Sequence, residues 1–264
     1  MIIDLSGKRA IVTGSTAGIG LAIAQGLVQA GAEVVVTGRT ALAVDRAIAA
    51  IHAAWPAAQV RGVAADLATP DGAQTLIAAY PEADILVNNL GIYEAKPLLE
   101  LDDADWERFF QVNVLSAARL SRHYASGMKE RGWGRLQFVS SESAINIPTE
   151  MVHYGVSKAA LQALSRGYAK ELAGTGVTAN AILPGPTATE NVHAFLAPLA
   201  AERGISVEEM SARFVAEKRP SSLLGRFASP QEVAHLAVYV ASEQASATTG
   251  AALRVEGGIV ETPF

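Results

Sequence analysis

The sequence predicts an α/β fold in which one doubly wound, parallel sheet of about seven strands carries helices on both faces. Short runs rich in β-branched residues alternate along the chain with Ala-rich segments of helical length, and this alternation is typical of parallel sheets. Several runs are continuously apolar, as in strands that are covered on both faces. The 264 residues, 50% of them hydrophobic, suit one large domain or at most two small ones. We interpret 1–264 as a single domain.

Each element follows from a local pattern. Strands are predicted at 9–14, 33–38, 59–65, 84–89, 134–140, 177–183 and 251–256, and helices at 18–30, 40–54, 70–79, 104–131, 153–173 and 230–242. Thr69 and Ser229 each precede a proline, which is typical of an N-cap followed by a first-turn proline. The long irregular stretch 184–228, in which we expect two short helices, is predicted to be a substrate-binding lid.

Composition excludes several functional classes. The net charge is −5 with both signs dispersed, and there is no cysteine. We therefore expect no nucleic-acid partner, no disulfide and no thiolate metal site. No apolar stretch is long enough to span a bilayer and the start lacks a signal-peptide pattern, so we expect a cytoplasmic protein without a membrane partner. No metal site is expected, because the histidines are scattered and are predicted to lie at the surface, at positions 52, 123, 153, 193 and 235.

The stretch "TGSTAGIG" (13–20) follows the first predicted strand and opens the first helix. Glycines at 14, 18 and 20 would permit a tight turn and close approach of the backbone to a pyrophosphate at the helix N-terminus. The spacing is G-x-x-x-G-x-G, which differs from the usual dinucleotide fingerprint G-x-G-x-x-G. A simple glycine turn between strand and helix remains the alternative interpretation.

The end of the second strand bears on the choice of nicotinamide cofactor. A NAD site usually places a carboxylate there, on the adenosine ribose, but the chain reads Thr37-Gly38-Arg39-Thr40. An arginine at that point suits a 2′-phosphate. The sequence therefore favours NADP(H) over NAD(H), unless Arg39 is simply a solvated residue at the start of a helix.

The segment "HYGVSK" (153–158) places Tyr154 and Lys158 four residues apart, on one face of a predicted helix. A fixed ammonium about 4 Å from the phenol would favour the phenolate by about 4 kcal/mol and lower the pKa of Tyr154 by about 3. Such a phenol can transfer a proton at neutral pH. A surface helix pair without function is the alternative, because Tyr-x-x-x-Lys alone is a common pattern.

The chain resembles the short-chain dehydrogenases/reductases, in their single-domain branch, over nearly its whole length. The resemblance rests on seven segments in the family's order, which are "TGSTAGIG", "NNLG" (88–91), Asn113 in "QVNV", "SS" (140–141), "YGVSK" (154–158), "PGPTAT" (184–189) and "VEGG" (255–258). It implies a Rossmann-like fold and reversible hydride transfer between a nicotinamide cofactor, with NADP(H) favoured, and a carbonyl or secondary alcohol.

The resemblance also implies roles for four catalytic residues. Tyr154 matches the acid/base that exchanges a proton with the substrate oxygen, and Lys158 the residue that lowers its pKa and holds the nicotinamide ribose. Ser141 matches the serine that hydrogen-bonds the substrate oxygen, with Ser140 as the alternative if the register slips by one. Asn113 matches the helix asparagine that positions a water molecule connecting the lysine to solvent.

The cofactor-binding residues implied by the resemblance lie after successive strands. They are Gly14, Ser15, Gly18, Ile19 and Gly20 in the phosphate turn, Arg39, Asp66 and Leu67 towards the adenosine, Asn89 and Gly91 after the fourth strand, Pro184, Gly185, Thr187 and Thr189 after the sixth, and Tyr154 and Lys158 themselves. Leu90 departs from the alanine that is common in the family, which affects the shape of the pocket but removes no functional group.

Two other functions remain open from the sequence. A 3-oxoacyl-thioester reductase of the same family would use the same catalytic residues, and a non-catalytic dinucleotide-sensing protein would keep the glycine turn but lose one of the four. We expect a homotetramer, because the resemblance implies subunit contacts along the helices at 104–131 and 153–173. Ordinary packing of these helices on the sheet is the alternative.

Overall fold

A computed structural model describes residues 2–263, and its centre is one parallel sheet. All seven predicted strands form, within two residues of the predicted bounds, and their order in the sheet is β3-β2-β1-β4-β5-β6-β7. The strands are β1 (Arg9–Val12), β2 (Glu33–Gly38), β3 (Val60–Ala64), β4 (Ile85–Asn88), β5 (Gly134–Val139), β6 (Val177–Pro184) and β7 (Ala252–Val255). The predicted doubly wound fold class is confirmed. The strand order reverses direction between β1 and β4, and the crevice at the carboxyl ends of such strands is where this fold binds ligands.

Within residues 2–263, nine α-helices cover the two faces of the sheet and its carboxyl edge. They are α1 (Gly18–Gln29), α2 (Ala41–Ala54), α3 (Pro70–Ala79), α4 (Asp103–Phe109), α5 (Ser116–Arg131), α6 (Val152–Glu171), α7 (Glu190–Arg203), α8 (Val207–Lys218) and α9 (Pro230–Ala241). The predicted caps form: Thr69 accepts a hydrogen bond from Gly72 N at 3.0 Å, and Ser229 caps α9 in a capping box with Glu232.

The prediction of one continuous α-helix at 104–131 is wrong in one respect. A π-helical turn, Phe110–Leu115, separates α4 from α5. Such a turn widens the helix by one residue and is frequent at functional sites. The spacing of apolar residues in the sequence does not reveal this turn, because the backbone stays helical on both sides of it. Asn113 lies in this turn and is fully buried.

Two hydrophobic layers hold the helices to the sheet. One layer joins the sheet to α1, α2 and α9, and the opposite layer joins it to α3, α5 and α6. The 184–228 segment contains α7 and α8, which are the two helices expected there, and has a small core of its own around Leu196, Met210 and Phe227. No helix among residues 2–263 has the length and apolar character needed to cross a bilayer.

Candidate active site

The turn between β1 and α1 has the shape of an anion site. Gly14 and Gly18 have φ values of +60° and +55°, a conformation that residues with a Cβ rarely adopt. A Cβ on Gly20 would collide with the carbonyl oxygen of Gly14, so the turn also needs a glycine where α1 meets the sheet. The amide of Gly18 already donates to a carboxylate, Glu190 Oε2, at 3.1 Å. The turn therefore fits a dinucleotide pyrophosphate.

Asn89 braces this turn from the end of β4. Its Nδ2 donates to the carbonyl oxygens of Thr13 at 2.9 Å and Gly14 at 3.0 Å. The Thr13 hydroxyl accepts in return from the amides of Asn89 and Leu90 at 2.8 and 2.9 Å. Asn89 is predicted from the sequence to lie near the cofactor, whereas the role of Thr13, which opens the "TGSTAGIG" segment, is seen only in the structure.

The adenosine side of the crevice carries three further predicted residues. Ser15 is buried, and its hydroxyl donates to Val12 O at 2.7 Å and accepts from Thr37 N at 2.9 Å, so this side chain holds the turn to β2. Arg39 follows β2 directly and is exposed. Asp66 is exposed after β3, where its Oδ1 accepts from the amide of Ala68 at 3.1 Å. Leu67 is buried.

The segment after β6 closes the opposite side of the crevice. Thr189 is the N-cap of α7 and lies against Gly18, since its Cγ2 would be 3.1 Å from a Cβ on that glycine. Thr187 is buried, and its hydroxyl donates to Gly185 O at 2.9 Å. Residues 184–189 thus face the glycine turn across the carboxyl edge of the sheet.

Tyr154 and Lys158 share one face of α6, as the sequence predicts. Lys158 Nζ lies 5.7 Å from the centroid of the Tyr154 ring and donates to Val139 O, at the end of β5, at 2.8 Å. The lysine side chain is buried, and Tyr154 is partly buried. The site therefore holds a cationic amine in the protein interior, next to a phenol that reaches the crevice.

The expected lowering of the pKa of Tyr154 is wrong for this structure. Burial is the largest influence and raises the pKa of Tyr154, while hydrogen bonding by Ser141 lowers it. The charge of Glu142 raises the pKa of Tyr154 further, and Arg219 opposes that increase. The Lys158 ammonium is directed to the Val139 carbonyl and is not one of the influences on the pKa of Tyr154 in this structure. Burial also lowers the pKa of Lys158 to about 8.

The two adjacent serines have different surroundings. Ser140 donates its hydroxyl to the backbone carbonyl of Lys158 at 2.7 Å, which joins β5 to α6. The Ser141 hydroxyl donates to Glu142 Oε2 at 2.6 Å, accepts from the amide of Ser143 at 3.1 Å, and interacts with Tyr154. Ser141, not Ser140, is therefore the serine that faces the phenol.

Asn113 connects the π-helical turn to two neighbouring segments. Its Oδ1 accepts from the amide of Ile92 at 2.8 Å, and its Nδ2 donates to Ile92 O at 3.1 Å and to Ser157 Oγ at 2.9 Å. A Cβ on Gly91 would lie 3.2 Å from Lys158 Nζ and 3.4 Å from Asn113 Oδ1. Asn113, Gly91 and Lys158 therefore meet at one point.

An ion pair between a buried carboxylate and a partly buried guanidinium adjoins Ser141. Glu142 is 4% exposed, and its Oε1 accepts from Arg219 Nε at 3.1 Å. Arg219 lies 77 residues away in the 184–228 segment and is not identified from the sequence. In the sequence, the only sign of this ion pair is the acidic residue Glu142 directly after Ser141.

The prediction that His153 lies at the surface is wrong. The side chain is fully buried and packs edge-on against Phe109, with ring centroids 4.1 Å apart. Burial lowers the pKa of His153. No group of three or more potential metal ligands occurs among residues 2–263.

Comparisons with known proteins agree with this geometry. A family model, described as short chain dehydrogenase, matches residues 8–199. The uncharacterized oxidoreductase YvaG of Bacillus subtilis (strain 168) is 43% identical over 264 residues, which cover 100% of both chains. A D-beta-hydroxybutyrate dehydrogenase of Cupriavidus necator is 35% identical over 260 residues, covering 97% of this chain and 99% of that protein. The structure of L-sorbose reductase from Gluconobacter frateurii, complexed with NADPH and L-sorbose, has a TM-score of 0.93 at 32% identity and covers 99% of this chain and 100% of that one.

The buried amine of Lys158 makes stability depend on pH. Its pKa is about 8 in the fold against 10.5 ordinarily, so the unfolded chain binds more protons between these values and stability rises with pH across that range. We expect Lys158→Met to raise the Tm at pH 7 by about 2–5 °C, because no cation is then buried. The gain should vanish above about pH 10.

Calorimetry of both proteins between pH 6 and 10 would measure this difference. Lys170→Met is the matched control, because Lys170 is exposed on the same helix and its removal should leave the pH dependence of the Tm unchanged. A Lys158→Met protein less stable than the wild type at pH 7 would contradict the argument.

Proposed function

The chain belongs to the short-chain dehydrogenase/reductase family and is an oxidoreductase of that family, and we propose that it interconverts a ketone and a secondary alcohol with a nicotinamide cofactor. One observation carries the proposal: Asn113 from the π-helical turn, Ser141 from the end of β5, and Tyr154 and Lys158 from α6 meet at the carboxyl edge of the sheet. That edge is where a cofactor reaches a substrate in this fold.

The chain's own residues divide the work between them. A bound nicotinamide supplies or accepts the hydride. Ser141 and Tyr154 hold the substrate oxygen, and Tyr154 gives or takes the proton at that oxygen. Lys158 supplies positive charge behind the phenol, and Asn113 fixes the loop at Ile92 and the α6 residue Ser157. The glycine turn, Asn89 and the 184–189 segment hold the cofactor.

The 184–228 segment acts as a lid in this proposal. It begins at the carboxyl end of β6, contacts the glycine turn through Glu190 and reaches Glu142 through Arg219. It therefore touches both the cofactor side and the substrate side of the crevice. Its own small core allows it to move as a unit.

The alternative functions have less support. A dinucleotide-sensing protein has no need of a phenol, an amine and a serine gathered in one site, and all of them are in place here. A 3-oxoacyl thioester would bring an apolar acyl chain to a site that has a buried carboxylate and guanidinium beside Ser141. Such a chain cannot satisfy these groups.

Replacement of Tyr154 tests the function. We expect the wild type to oxidise NADPH or NADH in a screen of ketones and aldehydes, and Tyr154→Phe to lose at least about 100-fold in kcat, because the proton donor is gone. Binding of the cofactor, followed by fluorescence, should persist. Tyr168→Phe is the matched control, since that hydroxyl lies on the same helix and donates to Ala118 O. Full activity in Tyr154→Phe would refute the assignment.

We propose NADP(H) as the preferred cofactor. Arg39 is exposed directly after β2 and forms no ion pair among the described residues, so its guanidinium is available for a 2′-phosphate. The only carboxylate of β2, Glu33, lies at the far end of the strand, 3.5 Å from Arg61 Nε. The L-sorbose reductase that resembles this chain was solved with NADPH.

Replacement of Arg39 tests this preference. We expect Arg39→Ser to lower kcat/KM for NADPH by about 10-fold or more, because a charge-assisted contact to phosphate is lost, with little change for NADH. Arg46→Ser is the control, because Arg46 is exposed on α2, away from the end of β2. Equal losses with both cofactors would show that Arg39 does not select between them.

We further propose that the protein is a homotetramer. Leu99, just before α4, is 97% exposed, and Leu115, between α4 and α5, is 38% exposed. The family resemblance implies subunit contacts along this helical region. Association of subunits over these side chains would remove apolar surface from water, which is favourable. Analytical ultracentrifugation at micromolar concentration should give about four times the chain mass of 27.5 kDa, and a monomer would contradict the proposal.

A further inference from the structure

The acceptor capacity of Glu142 bears on which substrates the site takes. The carboxylate is 4% exposed, and its side chain has two partners among the described residues, Ser141 and Arg219. An ionised carboxylate offers about four acceptor positions, so Glu142 can accept further hydrogen bonds beside the reacting oxygen. A buried carboxylate that lacks donors is strongly disfavoured.

The single proton of Ser141 creates a conflict. In the structure this proton is donated to Glu142 Oε2 at 2.6 Å. In the proposed reaction Ser141 must donate it to the substrate oxygen instead. Glu142 Oε2 then loses its donor at the moment the substrate binds. An unpaired buried acceptor weakens binding unless the substrate itself supplies a replacement.

A hydroxyl group on the carbon next to the carbonyl is such a replacement. Its oxygen is two bonds from the reacting carbon, a distance that suits a contact with Glu142 while Ser141 holds the carbonyl oxygen, because Glu142 Oε2 lies 2.6 Å from Ser141 Oγ. It donates to Glu142, while its oxygen can accept from a guanidinium such as that of Arg219. An unsubstituted alkyl group at that position would leave Glu142 short of a donor.

The surrounding charge favours a neutral substrate. Arg219 and Glu150 line a cavity of about 510 Å³ together with Lys218 and Glu261, and Arg219 connects this cavity to Glu142. Arg219 Nη1 lies 3.6 Å from Glu150 Oε1, so its charge is already shared between two carboxylates. With Glu142, three carboxylates face two cations. A substrate carboxylate would add to the excess negative charge.

We propose that Glu142 is a specificity-determining residue that exchanges its hydrogen bond from Ser141 for one from a substrate hydroxyl, so that the substrates are neutral α-hydroxy ketones and the corresponding polyols. This inference rests on the proposed oxidoreductase function. It assigns Arg219 a positioning role, because this residue holds Glu142 beside Ser141 from the 184–228 segment.

A series of four-carbon ketones with the wild-type enzyme and NADPH provides the first test. We expect kcat/KM for 1-hydroxy-2-butanone and for erythrulose to exceed that for 2-butanone by about tenfold or more, the effect of a hydrogen bond to a charged group. Acetoacetate, which carries a carboxylate, should be no better than 2-butanone. Equal values for 2-butanone and its hydroxy derivative, or a preference for acetoacetate, would overturn the inference.

The Glu142→Gln variant provides the second test. The ratio of kcat/KM for 1-hydroxy-2-butanone to that for 2-butanone should fall by about fivefold or more, mostly through KM, because the lost contact is made in the ground state as well. Glu150→Gln is the matched control, since it contacts the same arginine from a side chain that is 44% exposed, and the ratio should change by less than about twofold.

The outcomes separate the two proposals. No turnover of any ketone or aldehyde with either cofactor would defeat the oxidoreductase proposal and the inference with it. Turnover without a preference for hydroxylated ketones would defeat the inference alone. An equal loss for both ketones in Glu142→Gln would mean that Glu142 only supports the fold. If that variant does not fold, the wild-type series decides by itself.

Discussion

The buried amine of Lys158 is the interaction on which the rest of the site depends. Its Nζ is bonded to the last carbonyl of β5, and its own backbone carbonyl accepts from Ser140. These two bonds fix α6 against the end of β5, and so fix Tyr154 relative to Ser141. Burial opposes the charge on this amine. The fold therefore gives up stability to hold a cation on the same face of α6 as Tyr154.

A local irregularity in a helix completes the arrangement. The π-helical turn between α4 and α5 directs Asn113 into the interior, where it bonds both backbone groups of Ile92 and the hydroxyl of Ser157. The loop after β4, the helix pair and α6 are thereby connected through one side chain. A regular helix would carry residue 113 in a different direction, because each residue turns the helix by about 100°.

The geometry of the fold does not by itself determine the choice of substrate. Proteins named for a hydroxy acid and for a ketose both align with nearly the whole of this chain, so the fold alone does not select between them. The selection lies in contacts such as that between Glu142 and Arg219, which add charge beside Ser141. Because Arg219 belongs to the 184–228 segment, the position of that segment and the polarity of the site are linked.

The sequence by itself determined the seven strands, the doubly wound sheet and the positions of the four catalytic candidates. These features are visible in local patterns, namely apolar runs, helix caps and the four-residue spacing of Tyr154 and Lys158. Such patterns can be recognised from neighbouring residues alone, without knowing the contacts between distant parts of the chain. The tertiary structure decided the π-helical turn, the burial of His153, the raised pKa of Tyr154 and the pairing of Glu142 with Arg219. Each of these features depends on which distant parts of the chain pack together in the interior. Burial and neighbouring charges then set the pKa values and the ion pairs.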